Sequence, residues 1–269
     1  MASNFPERPR AATAGHAAHP GAAAGSAASA AAAREAAGAS GAGAKVRVWD
    51  LSLRLFHWLL VACLVGSFVT IKVGGSWIDW HFRFGYSALA LILFRILWGF
   101  AGPRYARFTS FIFAPSSLLA HLRDAPHGPR SLGHSPVGAL SVFALLGVIG
   151  VQAAAGLFTS DEIASEGPLA RLVSNAIVEQ ASWLHHTNEL VILALVGLHI
   201  AAIIYYRIFE RQSLVKPMLV GDKVLTAKDA GRDATLLAAR DDLAVRLRAL
   251  VLALVAVALV AGIVNWPLF

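Results

Sequence analysis

Ten histidines occur in this chain of 269 residues, and four of them fall where a titratable side chain is costly. His57 opens one apolar block, His81 opens the next, and His185 and His199 bracket most of a later block that reads WLHHTNELVILALVGLHIAAIIYY. An imidazole buried in hydrocarbon needs a partner or a metal to offset its burial, so each position marks function by default. Pairs of histidine do not suit a structural zinc site, which gathers three or four N/S donors at one depth. Two neutral imidazoles on opposite faces of a macrocycle instead fill both axial positions of a haem iron, an arrangement that carries electrons and leaves no open site for oxygen. The single cysteine, Cys63, excludes an intrachain disulfide, a CxxC site and c-type haem attachment, so redox chemistry must come from a bound cofactor.

The elements that must hold these histidines are readable from hydropathy. The chain is 57% hydrophobic and only 14% charged, with a mean hydropathy of +0.62, too apolar for an ordinary soluble domain. Five apolar blocks, at about 54–72, 81–101, 136–158, 184–206 and 247–265, each reach the length that crosses a bilayer as a helix. The expected fold is therefore all-α: an integral membrane bundle of four helices at the histidine sites, with a fifth, C-terminal transmembrane helix. The net charge of +7 is not a nucleic-acid signal, because the basic residues sit in short connections at span ends and not on one amphipathic face.

That placement orients the bundle. Lys45, Arg47 and Arg54 precede the first span, Arg104, Arg107, Arg123 and Arg130 separate the second and third, and Arg207, Arg211 and Lys216 follow the fourth. By the positive-inside rule these segments are cytoplasmic, which puts the N-terminus inside and the C-terminus in the periplasm of a bacterial inner membrane. The first span then runs outward and the second and fourth inward, so His57 shares depth with His199, and His81 with His185. Fourteen residues separate His185 from His199, which at about 100° per residue returns to nearly the same helix face and at about 1.5 Å per residue covers roughly 21 Å. His186 lies about 140° off that face, which favours His185 as the ligand.

Residues 1–44 form an Ala/Gly-rich run read as a disordered cytoplasmic tail, and His16 and His19 within it as incidental. Gly85, four residues after His81, would either admit a flat ring to the backbone or serve close helix packing. Arg54, Arg83 and Arg95 are candidates for anionic propionates, although Arg95 is equally explained by snorkelling to the surface. His121, His127 and His134 read as solvated or interfacial. Two connections carry helical patterns suited to the membrane interface, one through Leu118, Leu119 and Leu122, the other through Leu169, Leu172, Val173, Ala176 and Ile177. Trp77, Trp80, Trp98, Trp183 and Trp266 mark span ends.

The stretches VWDLSLRLFHWLL, HFRFGYSALALILFRILWGFAGPRYARF and LHHTNELVILALVGLHIAA together resemble the prokaryotic cytochrome b-561 family, which includes the b-type cytochrome subunits of nickel-iron hydrogenases. The resemblance covers about 45–225. It implies a four-helix core with two b haems held from the first, second and fourth helices, which carries over to His57, His81, His185 and His199. Where members of that family often have Glu after the first histidine of the fourth span, this chain has His186. The resemblance also implies a link to the quinone/quinol pool and a redox partner protein: a hydrogenase-like enzyme, another dehydrogenase or a cytochrome c. Residues 226–269, a linker and the fifth span, lie outside it. A transporter or proton channel with a histidine relay is the competing reading, and it predicts Gly/Pro-interrupted spans, which this sequence lacks.

Overall fold

A computed structural model describes residues 43–113, 116, 123, 132–161, 165–225 and 238–266. Most of the expected tail, the Leu118–Leu122 pattern, His121, His127 and the linker at 226–237 lie outside the described residues. Five long helices form: α1 (Leu51–Val73), α2 (Ile78–Ala101), α3 (Pro136–Gly156), α4 (Asn175–Ile208) and, after the short α5 (Val215–Val220), α6 (Leu243–Asn265). All five are long and apolar enough to cross a membrane, so the chain is an all-α, multi-pass membrane protein.

Local sequence sets the ends. Asp50 caps α1 by accepting the Leu53 N–H at 3.0 Å, and Asp242 caps α6 by accepting the Val245 N–H at 3.0 Å. These caps start both helices ahead of their apolar blocks. Gly74 and Gly75, with φ of 69° and 57°, make the sharp reversal from α1 to α2, a backbone region that side chains with a Cβ resist. Ser135 caps α3 through the Gly138 N–H at 3.1 Å, with Pro136 in its first turn.

α4 departs from expectation. It has 34 residues, about 51 Å at helical rise and well over a hydrocarbon core, and it starts nine residues before the apolar block. No Pro or Gly interrupts 175–196, so the polar turns simply continue the span. The expected interfacial helix at 169–177 is therefore absent: Ala170–Leu172 is a single 3₁₀ turn, and Ala176 and Ile177 belong to α4. Bonds from Gly167 N to Thr159 O (2.7 Å) and Leu169 N to Leu157 O (2.9 Å) tie this connection to the end of α3.

α2 is the central helix, packed against α1, α3 and α6, whereas α4 packs closely on α3 alone. Small residues line these seams, among them Ala256 (fully buried), Ala249 and Ala139, because close backbone approach drives association where lipid is as apolar as the side chains. A Cβ at Gly66 would lie 2.6 Å from the Phe84 ring, so α1 and α2 cross at a point only glycine permits.

At one end of the bundle an unexpected two-stranded antiparallel sheet joins β1 (Lys45–Arg47) to β2 (Asp222–Val224) in the register Val46↔Lys223. Arg47 bonds Asp222 at 2.6 Å and Asp241 at 3.0 Å. This clasp gathers the chain before α1, after α5 and before α6.

Candidate functional site

The structure brings one of the two predicted histidine pairs into ring contact, and sets the other two histidines on α1 and α4. His81, in the first turn of α2, faces His185 on α4 with ring centroids 6.2 Å apart and planes at 81°. His57, in the second turn of α1, lies within electrostatic range of His199 on α4. On α4 the less exposed residues run as a stripe through His185, Asn188, Glu189, Ile192, Leu195, Val196 and His199, while His186 is exposed. One helix face thus presents a histidine to each of the two partner helices.

Hydrogen bonds fix the ring state in the first pair. His81 Nδ1 lies 2.9 Å from the Ser67 carbonyl oxygen and 3.0 Å from the Ser67 hydroxyl, and His185 Nδ1 lies 3.0 Å from the Gln152 carbonyl oxygen. A carbonyl only accepts, so both Nδ1 atoms carry the proton and donate it, which leaves each Nε2 with a free lone pair. This is the outer hydrogen bond that metal-ligating histidines commonly make. His57 Nδ1 is buried and has no hydrogen-bond partner among the described residues.

The dimensions of the first pair suit a haem. Two metal–nitrogen bonds of about 2 Å plus two half-rings separate imidazole centroids by about 6 Å, which matches the His81–His185 distance. α4 does not pack closely on α1 or α2, the helices that carry His57 and His81. A Cβ on Gly85, one turn after His81 on the same helix face, would meet nothing within 4 Å, which leaves open space beside His81. The residues present fit the group. Among the described residues no three His, Cys, Asp or Glu gather at one point, in keeping with paired ligands.

Supporting residues that spacing does not reveal come largely from α1 and α3. A Cβ at Gly156 would lie 3.0 Å from His185 Cε1, so this glycine makes room for the ring. Asn188 donates to Val148 O (2.9 Å) and Gln152 Oε1 (3.0 Å), pinning α4 to α3 one turn from His185. Lys72 of α1 pairs with Glu189 at 3.0 Å. Gln152 and Asn188 were visible as polar residues within apolar spans, the one signal that pointed to them.

Two expectations are corrected near the clasp. Arg95 does not snorkel: it is 2% exposed, covered by Phe108 and Phe111 with its guanidinium carbon 4.8 and 6.0 Å from their centroids, because the 108–111 turn folds back over the end of α2. His134 is not solvated, since its ring lies between Trp49 and Phe111 at 4.7 and 4.3 Å. Burial, with the nearby Arg95 and Lys223 cations, pushes its pKa down to about 3. Asp50 is 1% exposed and accepts the Trp98 indole N–H at 3.2 Å, and burial raises its pKa.

Five membrane-length helices, with His81 and His185 in ring contact between two of them, are the setting a membrane b-type cytochrome needs. The family model for prokaryotic cytochrome b561 matches residues 48–221, and the chain belongs to that family. Membership makes it a b-type, haem-binding protein of membrane electron transfer. No curated protein and no solved structure matches the chain significantly.

Proposed function

We propose that the chain is a two-haem conduit that moves electrons between the quinone/quinol pool and a redox partner protein. His57 and His199 would hold the haem nearer the cytoplasm, and His81 and His185 the haem nearer the periplasm. Bound between two imidazoles, a haem would supply a one-electron couple. The observation that carries this reading is the Nδ1 donation of His81 and His185 to backbone carbonyls, which holds both rings in the tautomer whose Nε2 binds metal.

The protein's own part is to fix rings, depth and charge. Ser67, Gln152 and Gly156 hold the periplasmic-side pair, and the 14-residue spacing on α4 sets the pairs roughly 21 Å apart. Moving an electron over that depth displaces charge along the membrane potential, which is worth about 2.3 kcal/mol per charge per 100 mV for a full crossing. Residues 45–225 would form the di-haem unit in a bacterial inner membrane, with Lys/Arg-rich connections and the N-terminus on the cytoplasmic side and the C-terminus in the periplasm. A hydrogenase-like enzyme, another dehydrogenase or a cytochrome c would serve as partner.

A potentiometric titration of the purified protein, followed by reduced-minus-oxidised absorbance, tests the proposal. Two one-electron components are expected, both reducible by added quinol in liposomes. A haem-loaded protein that quinol cannot reduce would remove the quinone from the account.

A further inference from the structure

Where α2 ends and α6 begins, Pro103, Arg104, Arg107, Ala238, Arg240, Val245 and Arg248 enclose a groove of about 200 Å³. Four of the seven residues are arginines, and no carboxylate among the described residues lines the groove. Arg240 pairs with Asp242 at 2.8 Å, an exposed contact that a stronger anion can outcompete. Arg107 donates through Nε to the Gly102 carbonyl at 2.8 Å, which leaves its two terminal nitrogens, and Arg248 lies 5.7 Å over the Trp98 ring. Neither meets a carboxylate among the described residues.

We propose that this groove binds the phosphodiester headgroup of an anionic phospholipid. Guanidinium groups present paired N–H donors that match phosphate oxygens, and basic pockets between membrane helices suit such headgroups. The location selects a lipid over a soluble anion. On the face of Arg248, three and seven residues on, Val251 and Val255 are 58% and 44% exposed, and Phe100 of α2 is 70% exposed. An apolar track for acyl chains therefore starts directly at the arginines. Ala238, Arg240, Val245 and Arg248 lie beyond the region matched by the family, so the added helix completes a site that α2 alone lacks. This inference does not depend on haem.

Native mass spectrometry of the full chain in detergent, with added phosphatidylglycerol, phosphatidylcholine or inorganic phosphate, tests it. Phosphatidylglycerol should be retained, phosphatidylcholine should not, and excess inorganic phosphate should not displace the lipid. Loss of about 1 kcal/mol per cation corresponds to roughly 5-fold weaker binding for Arg107→Gln and roughly 25-fold for Arg107→Gln with Arg248→Gln. The Arg107→Lys, Arg248→Lys pair, which keeps the charge but loses the paired donors, should bind more weakly than wild type and more tightly than the Gln pair. Melting temperature and haem absorbance serve as folding controls, and the single variant keeps the test decisive where the double variant is unstable. Unchanged affinity in Arg107→Gln, equal retention of phosphatidylcholine, or displacement by inorganic phosphate would each overturn the assignment.

Discussion

An imidazole that binds iron through Nε2 is held by what its Nδ1 proton touches, and here that is Ser67 O for His81 and Gln152 O for His185. His185→Ala is expected to lose one haem and His186→Ala none, because His186 points away from the stripe; haem stoichiometry checks both. Gly156→Ala places a Cβ 3.0 Å from His185 Cε1, so the ring must tilt. That variant should keep its helix content while the haem of this pair loses occupancy or shifts in midpoint potential, as a spectroelectrochemical titration would read. Asp50 separates capping from charge. Asp50→Ala removes the α1 cap and the Trp98 acceptor and should cost about 2 kcal/mol, whereas Asp50→Asn keeps an oxygen for both. Since burial raises the Asp50 pKa, the buried carboxylate is a liability above its folded pKa. Asp50→Asn should therefore remove this pH dependence, so that its stability relative to wild type falls as the pH is lowered and Asp50 protonates, as thermal melts across pH would show.

Helices were legible to different degrees, and the reason is physical. Spans α1, α2, α3 and α6 stand out because a bilayer demands about 20 apolar residues whatever the tertiary contacts. The start of α4 does not, since Asn175–Trp183 is too polar to count as span and its Ala176 and Ile177 read instead as part of an interfacial helix, whereas the helix runs on unbroken from Asn175. The strands Lys45–Arg47 and Asp222–Val224 are three residues each, too short for a period-two pattern, and they pair across the whole family-matched region. Near the clasp, the His134 ring sits between Trp49 and Phe111. A histidine whose pKa falls to about 3 stabilises the fold above the unfolded value near 6.5, and that contribution is lost as pH drops from about 6.5 toward 3. His134→Phe keeps a ring between Trp49 and Phe111 and should move the acid-unfolding midpoint, followed by far-UV circular dichroism, to lower pH. In α6, Ala256 is fully buried, and Ala256→Leu should cost about 1–3 kcal/mol through overpacking. Its melting temperature should fall while haem content holds, because no paired histidine lies on α6.

For the molecule as a whole, the candidate site was legible as far as spacing and topology reach. The four candidate histidines and their proposed pairing by depth were read from helical period and from the Lys/Arg asymmetry of the connections, and the structure sets His81 against His185. The shell around them is not in any spacing: Ser67 and Gln152 act through backbone carbonyls that any residue carries, and Gly156 acts by lacking an atom. Arg95 and His134 were misread because the residues that cover them, Phe108, Phe111 and Trp49, come from connections whose path hydropathy does not set. The central claim is that two histidine pairs hold two haems. Pyridine-haemochrome analysis per mole of purified chain, on wild type, His199→Ala and His81→Ala, tests it most directly. Two b haems in the wild type, with one remaining in each variant, is the predicted result; a single haem in the wild type, or two haems surviving either substitution, would contradict it.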